Sequence, residues 1–450
     1  MTSPAIPVDD VVLHLQALLR INTVNPPGNE MVAARYLEAV VRAAGIETTL
    51  LEPSPGRAAL VARLRGDGPL PPVLLLAHMD TVSVDLAQWT TDPFGGELRD
   101  GYVYGRGAID DKGMLAANLT AFLRLKREVL DAGGTLRRDV ILAATSDEET
   151  GGPWGLRWLL DNHPELVRAE FCINEGGRVR VVDGRPLYAA VQCAEKVNNV
   201  VTLTVRGTAG HAAVPLRDNA AARLARAVAR VAAYREPVRL TRITRRFFRG
   251  LSTVWHDSAE ARAMADVASG DRARVLAGTR ILRRVPSFDA VLRAGISAVG
   301  LAAGGVATNV IPAAATATYN IRTLPGQSLD DVLSRMTRAI DDDGVTIEVT
   351  ARGGDTPPSD ARSPLFAALA AAIHEVTPGL AVVPYLSTGA TDNATLRRAG
   401  IPAFGILPFP LDATDEGRMH GHDERVPVDA LTWAVRVIHG TLVRVASVPT

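Results

Sequence analysis

The chain has 450 residues, of which 47% are apolar and 22% charged, and its 49 Lys plus Arg balance 49 Asp plus Glu. That length exceeds one ordinary core and suits about two domains. A neutral balance argues against nucleic acid or an anionic membrane as partner, so a small molecule or a second copy of the chain is expected.

The opening stretch, MTSPAIPVDDVVLHLQALLR, places two Asp before its apolar part and has neither a basic start nor a small-residue cleavage site. It does not read as a secretory leader. Val11, Val12, Leu15, Leu18 and Leu19 share one helical face. Helices are predicted at 31–44, 114–130 and 154–162, alternating with strands at 59–65, 73–77, 139–144 and 169–174. The run VLLLA at 73–77 is apolar throughout, as a strand covered on both faces must be. This alternation predicts an α/β domain with a helix-covered, mostly parallel sheet.

Near Asn198 the texture changes. VVTLTVRG and TATYNIRT alternate apolar and polar residues, as strands with one wet face do, and VTIEVTA is a further predicted strand. Helices at 219–235 and 328–342 lie between these strands. The β-α-β-β-α-β order predicts an inserted α+β (ferredoxin-like) domain with its helices on one face of an antiparallel sheet. The basic, aperiodic stretch at 239–302 reads as helical elaboration of that domain. α/β texture returns with a helix at 364–376, a strand at 402–406 and a helix at 430–445. The expected division is therefore 1–197 and 356–450 for the α/β domain, with 198–355 inserted. Cys172 and Cys193 sit in apolar runs without metal-ligand spacing, so a reducing, cytoplasmic setting is expected. No uninterrupted apolar run reaches the ~18 residues of a membrane span.

Five motifs carry chemistry. His78-Met79-Asp80 follows the VLLLA strand, and functional groups gather at the carboxyl ends of strands in such sheets. The stretch from Gly105 to Gly113, GRGAIDDKG, joins glycines to the acidic pair Asp110–Asp111. Its G-x-G-x-x-D spacing departs from a dinucleotide fingerprint, and the acidic residue would repel a pyrophosphate. Ser146-Asp147-Glu148-Glu149 ends another strand. Adjacent carboxylates there permit one to bind metal and the other to act as general base. Glu175 ends a third strand, and His420 and His422 stand close together near the C-terminus, either one a possible ligand. Together these motifs offer a hard nitrogen and oxygen donor set suited to two divalent ions.

The motifs LLLAHMDTV, YGRGAIDDKG, SDEETGG, NEGG, GTAGHAAVP, TNVIP and HGHDE occur in the order of a known family. The chain resembles the aminoacylase, glutamate carboxypeptidase and succinyl-diaminopimelate desuccinylase family of dizinc hydrolases, most of all its carboxypeptidase S-like subgroup. The resemblance implies that His78 and Glu175 hold one zinc, Glu149 and His420 the other, and that Asp110 bridges them. His420 is chosen over His422 because the family's ligand stands four residues before the Glu of the closing motif. Asp80 would stand behind His78, Glu148 would be the general base, and the Asp110–Asp111 peptide would be cis. The inserted domain would act as a lid and dimerise the chain, presenting His211 to the partner's site as an oxyanion donor. Asn309 and Arg322 would bind the substrate's carboxylate. Asn320 stands where the family often has Asp, and the basic segment TRRFFRG has no counterpart role.

The implied function is metal-dependent hydrolysis of an amide bond in N-acyl amino acids or short peptides with a free carboxylate. Zinc is the expected metal, with cobalt or manganese compatible with the same donors. An aminopeptidase would need an acidic anchor for the α-amine, and no residue in the sequence stands out for that task. The competing reading is a catalytically inactive small-molecule-binding relative of the same fold, which would normally show missing ligands.

Overall fold

A ten-stranded mixed sheet forms the larger part of the molecule in this computed structural model, which describes residues 8–304 and 307–447. At its centre, Val73–His78 is buried along its whole length and pairs in parallel with Val140–Thr145 on one side and Phe171–Asn174 on the other. Ala403–Gly405 extends the parallel group beyond Phe171–Asn174. Parallel neighbours release their chains at the same edge of the sheet, so His78, the loop after Thr145 and Glu175 all emerge together. Antiparallel strands flank this centre, with Ala59–Leu64 on Val140–Thr145 and Arg185–Glu195 on Gly405. The helices Val8–Leu19, Lys112–Leu125 and Val428–Ala446 cover the sheet. Val11, Leu15, Leu18 and Leu19 are fully buried, so the amphipathic reading of the first helix holds.

The smaller domain is a four-stranded antiparallel sheet in the order Gly295–Ala302, Ala314–Thr323, Val197–Arg206, Val345–Ala351. Numbered along the chain, that is the 2-3-1-4 order of a ferredoxin-like fold. Helices Ala220–Ala233 and Leu329–Ile340 cover one face, burying Leu224, Val231, Val332 and Met336 against Val201, Leu203 and Ile321. The other face carries Asn198, Asn320 and Arg322.

The segment at 239–302 departs from expectation in two ways. Its last eight residues, Gly295–Ala302, form an edge strand rather than a helix. Two glycines and largely exposed faces erase the alternation that would have announced it. Its helices, from Arg242–Leu251 to Pro286–Ala290, join the core of the large sheet instead of the small one. The aromatic pair in TRRFFRG explains this. Phe247 packs edge-on to Tyr188 at 6.4 Å and Phe248 edge-on to Phe288 at 5.7 Å, anchoring the helices over the Arg185–Glu195 and Ala381–Ser387 strands. No helix among the described residues is long and apolar enough to cross a membrane.

Candidate metal centre

His78 is 2% exposed, and its Nδ1 lies 3.0 Å from the Asp80 carbonyl. That bond fixes the tautomer and turns Nε2 outward, 3.1 Å from Oδ1 of Asp110. The other Asp110 oxygen, Oδ2, lies 3.1 Å from Nε2 of His420. One carboxylate thus faces an imidazole with each of its two oxygens. Glu149 approaches the same His420 nitrogen at 3.3 Å, and its Oε1 is buried without a hydrogen-bond partner. Two groups of potential ligand atoms result, His78/Asp110/Glu175 and Asp110/Glu149/His420, each with all atoms within 4.8 Å of one another. Asp110 belongs to both.

The electrostatics express a shortage of positive charge. Burial works against ionisation of Asp110, yet the two imidazoles overcome it and hold the carboxyl below the usual range. Burial pushes Glu175 well up, helped by Asp110 and Glu148. Glu148 is raised by burial and by the neighbouring Asp392, Asp110 and Glu149 carboxylates. Asp110 and Glu149 push His420 up to about 10. Protons on histidines here do what a cation would do better, and the mixed nitrogen and oxygen donors suit divalent ions.

The supports of this cradle come from distant sequence. Asp80, expected behind His78, keeps its carboxylate 3.5 Å from the ring and uses it elsewhere. It accepts the backbone N–H groups of Glu148 at 3.2 Å and Glu149 at 3.1 Å, pinning the acidic loop. Asn25 donates to Asp80 at 2.9 Å and to Asp147 at 3.0 Å, while Arg57 pairs with Asp147 and Glu30. These contacts hold Asp147 in the left-handed region at φ 68°, an unfavourable conformation for a residue with a side chain. Glu424, fully buried, pairs with Arg106 and accepts N–H groups from Gly107, Ile109 and Asp110 at 3.1, 2.8 and 3.2 Å. Gly107 sits at φ 89°, where a Cβ would lie 2.7 Å from the Thr81 methyl, so the loop needs glycine there. The Asp110–Asp111 peptide is cis, as the resemblance implies.

Sequence reasoning missed Asn25, Arg57 and Asp147 as supports, and left Glu424 without a role. Asp147 and Glu424 carried a signal, their places in the SDEETGG and HGHDE motifs. His420 itself lies at φ 59° and faces the cluster, whereas the His422 side chain is exposed and outside both ligand groups.

A cavity of about 720 Å³ opens over the cluster, with Asp110, Glu148, Glu149, Glu175 and His420 in its wall alongside the apolar Leu407 and Phe409. Within this single chain, His211, Asn309 and Arg322 do not line it. His211 is exposed on the short strand Gly210–His211, paired with Val310–Ile311 beside Asn309. Arg322 lies across from Asn198, which does reach the cavity wall. Its Nε donates to Asn320 at 2.9 Å, so the Asn replacement still orients the guanidinium, and one Nη is buried without a partner.

Fold and site together define a metal-dependent hydrolase. The chain belongs to peptidase family M20/M25/M40, whose sequence pattern matches residues 74–444. It is 31% identical over 379 residues to the Xenopus tropicalis N-fatty-acyl-amino acid synthase/hydrolase PM20D1, covering 82% of this chain and 72% of that protein. It is 28% identical over 442 residues to aminoacylase-1 of Mus musculus, covering 96% and 94% respectively. Among solved structures, the M20 family metallo-carboxypeptidase Sso-CP2 from Sulfolobus solfataricus superposes with a TM-score of 0.71 at 20% identity, over 96% of this chain and 98% of that one.

Proposed function

We propose that the protein is a dizinc hydrolase of N-acyl amino acids or short peptides that carry a free carboxylate. The observation that carries this reading is the double approach to Asp110, one imidazole at 3.1 Å on each oxygen, with Glu148 next to the second ligand group. In this reading His78 and Glu175 would hold one ion and Glu149 and His420 the other, with Asp110 available to both. When bound, two zinc ions acidify water towards neutrality and polarise an amide carbonyl, and cobalt or manganese would suit the same donors.

The protein's own residues divide the remaining work. Glu148 takes the proton of the attacking water and returns it to the nitrogen of the departing amine. Arg322, steadied by Asn320, meets the substrate carboxylate with a planar fork, and Asn309 adds an amide donor. His211 donates to the developing oxyanion from a second copy of the chain. A homodimer through the inserted domain is supported by its outer strand, where Val299 and Leu301 are 62% and 66% exposed along an unpaired edge. Free, buried Cys172 and Cys193 suit a reducing, cytoplasmic setting.

The test is a hydrolysis panel on zinc-loaded protein, comparing N-acyl amino acids, dipeptides and N-carbamoyl amino acids. Cleavage of the first two with a requirement for the free carboxylate is expected. Cleavage of the carbamoyl compounds alone, or indifference to the carboxylate, would overturn the substrate reading.

A further inference from the structure

The loop 387–392 forms part of the cavity wall and ends at Asp392, the first residue of the helix Asp392–Arg398. Both neighbours of Asp392 are committed. Thr391 caps the helix by accepting the Asn393 N–H at 3.2 Å and donates its hydroxyl to Glu195 at 3.0 Å. Asn393 is fully buried and donates to the Glu175 carbonyl at 2.8 Å. With residues 391 and 393 pinned, the backbone between them is fixed, and the Asp392 side chain belongs to the cavity wall.

Among the described residues the carboxylate of Asp392 has no hydrogen-bond donor and no salt-bridge partner, and the positive charge that acts on it within the chain is the His78 imidazole. Other acids nearby are occupied: Asp147 by Arg57, Glu195 by Thr391 and Gln192, Asp80 by the acidic loop. The arginines of the cavity wall are engaged elsewhere, Arg178 with Glu416, Arg157 with Asp161 and Arg398 with Thr395. Burial pushes the Asp392 carboxyl up to about 7, with His78 opposing the rise and the Asp80, Glu195 and Asp147 carboxylates adding to it. An acidic residue in a first helical turn gains little from the helix dipole, and Thr391 already supplies the cap.

We infer that Asp392 is a specificity-determining residue that receives a cationic group of the substrate, an ammonium or guanidinium close to the scissile amide. The inference rests on the amide-hydrolase reading above and supplies the acidic anchor that the sequence alone did not reveal. The cation could be a free α-amine on the acyl side or a basic side chain on the departing amino acid.

Two matched pairs separate these sources in the metal-loaded full-length protein. Alanyl-leucine against N-acetyl-alanyl-leucine tests the α-amine, and N-acetyl-lysine against N-acetyl-norleucine tests the side chain. In at least one pair the cationic member should exceed its neutral partner in kcat/KM by about tenfold, the scale of one charge-assisted hydrogen bond. Asp392→Asn should collapse that ratio towards one, and Asp392→Glu should restore part of it. A general loss of folding or metal would lower both members and leave the ratio untouched. Ratios near one in the unaltered protein, or ratios unchanged in Asp392→Asn, would overturn the inference alone. Cleavage of none of the four would overturn the hydrolase reading and the inference with it.

Discussion

The cradle grows from the carboxyl ends of buried strands, whereas His211, Asn309 and Arg322 stand on the open face and turns of the inserted domain. In the first region the backbone around each acidic group is braced. Asp80 pins the Glu148–Glu149 loop, Glu424 pins the Asp110 loop, and Asn393 pins Glu175. In the second region the same bracing is thin: His211 is exposed and its ring accepts one local N–H, from Ala213 at 3.1 Å. The difference teaches that the acidic cluster is preformed within one chain, whereas the groups proposed to meet the substrate are not held in place by it.

Substitutions can break this contrast. The largest effect belongs to Glu148→Ala, which should lower kcat by about 10²–10⁴, the usual contribution of a general base, while metal content by mass spectrometry stays normal. Turnover retained in the metal-loaded variant would remove Glu148 from the mechanism. Next is Glu424→Ala, which leaves Arg106 charged and unpaired in the interior. Breaking such a pair costs about 3–5 kcal/mol, measurable by urea unfolding, and a loss under 1 kcal/mol would deny Glu424 its bracing role.

In the second region, Arg322→Lys should raise KM for carboxylate-bearing substrates by roughly tenfold, the scale of one charged hydrogen bond lost with the fork. A fall in kcat with KM unchanged would point to chemistry rather than binding. Acidity sharpens the contrast from another side. His420 is held near 10 in the metal-free protein against an ordinary 6.5, with Asp110 and Glu149 as the cause. Its folded value is raised, so protonation stabilises the metal-free fold fully below pH 6.5, and that contribution fades as pH climbs through about 10. Metal must displace this proton, so apparent zinc affinity should rise with pH across the same window. A flat affinity profile would contradict His420 as a ligand. The smallest effect is expected for His422→Ala, within about 0.5 kcal/mol in stability and with metal content unchanged.

The legibility of these features in the sequence follows the same division. His78, Glu149 and Glu175 could be read because each stands at or just beyond the end of an apolar strand whose pattern is local. The ferredoxin-like order could be read from alternation in Ala314–Thr323 and Val197–Arg206, which keep one wet face. Gly295–Ala302 could not, since an edge strand exposed on both faces has no period to show. Asn25, Arg57 and Glu424 act across 55 to 318 residues of chain, and nothing local marks a partner that far away. Asp392 was hidden for a further reason. An acidic residue opening a helix looks ordinary until the cavity beside it is seen. The helical character of the segment that carries Phe247 and Phe248 is legible, but which sheet its helix Arg242–Leu251 covers depends on tertiary packing alone.

The central claim is that Asp110 bridges two ions, and anomalous diffraction from zinc-loaded crystals addresses it most directly. Two zinc peaks are predicted, one on either side of the Asp110 carboxylate, the first touching His78 and Glu175 and the second Glu149 and His420. A single peak, or two peaks of which only one touches Asp110, would contradict the account.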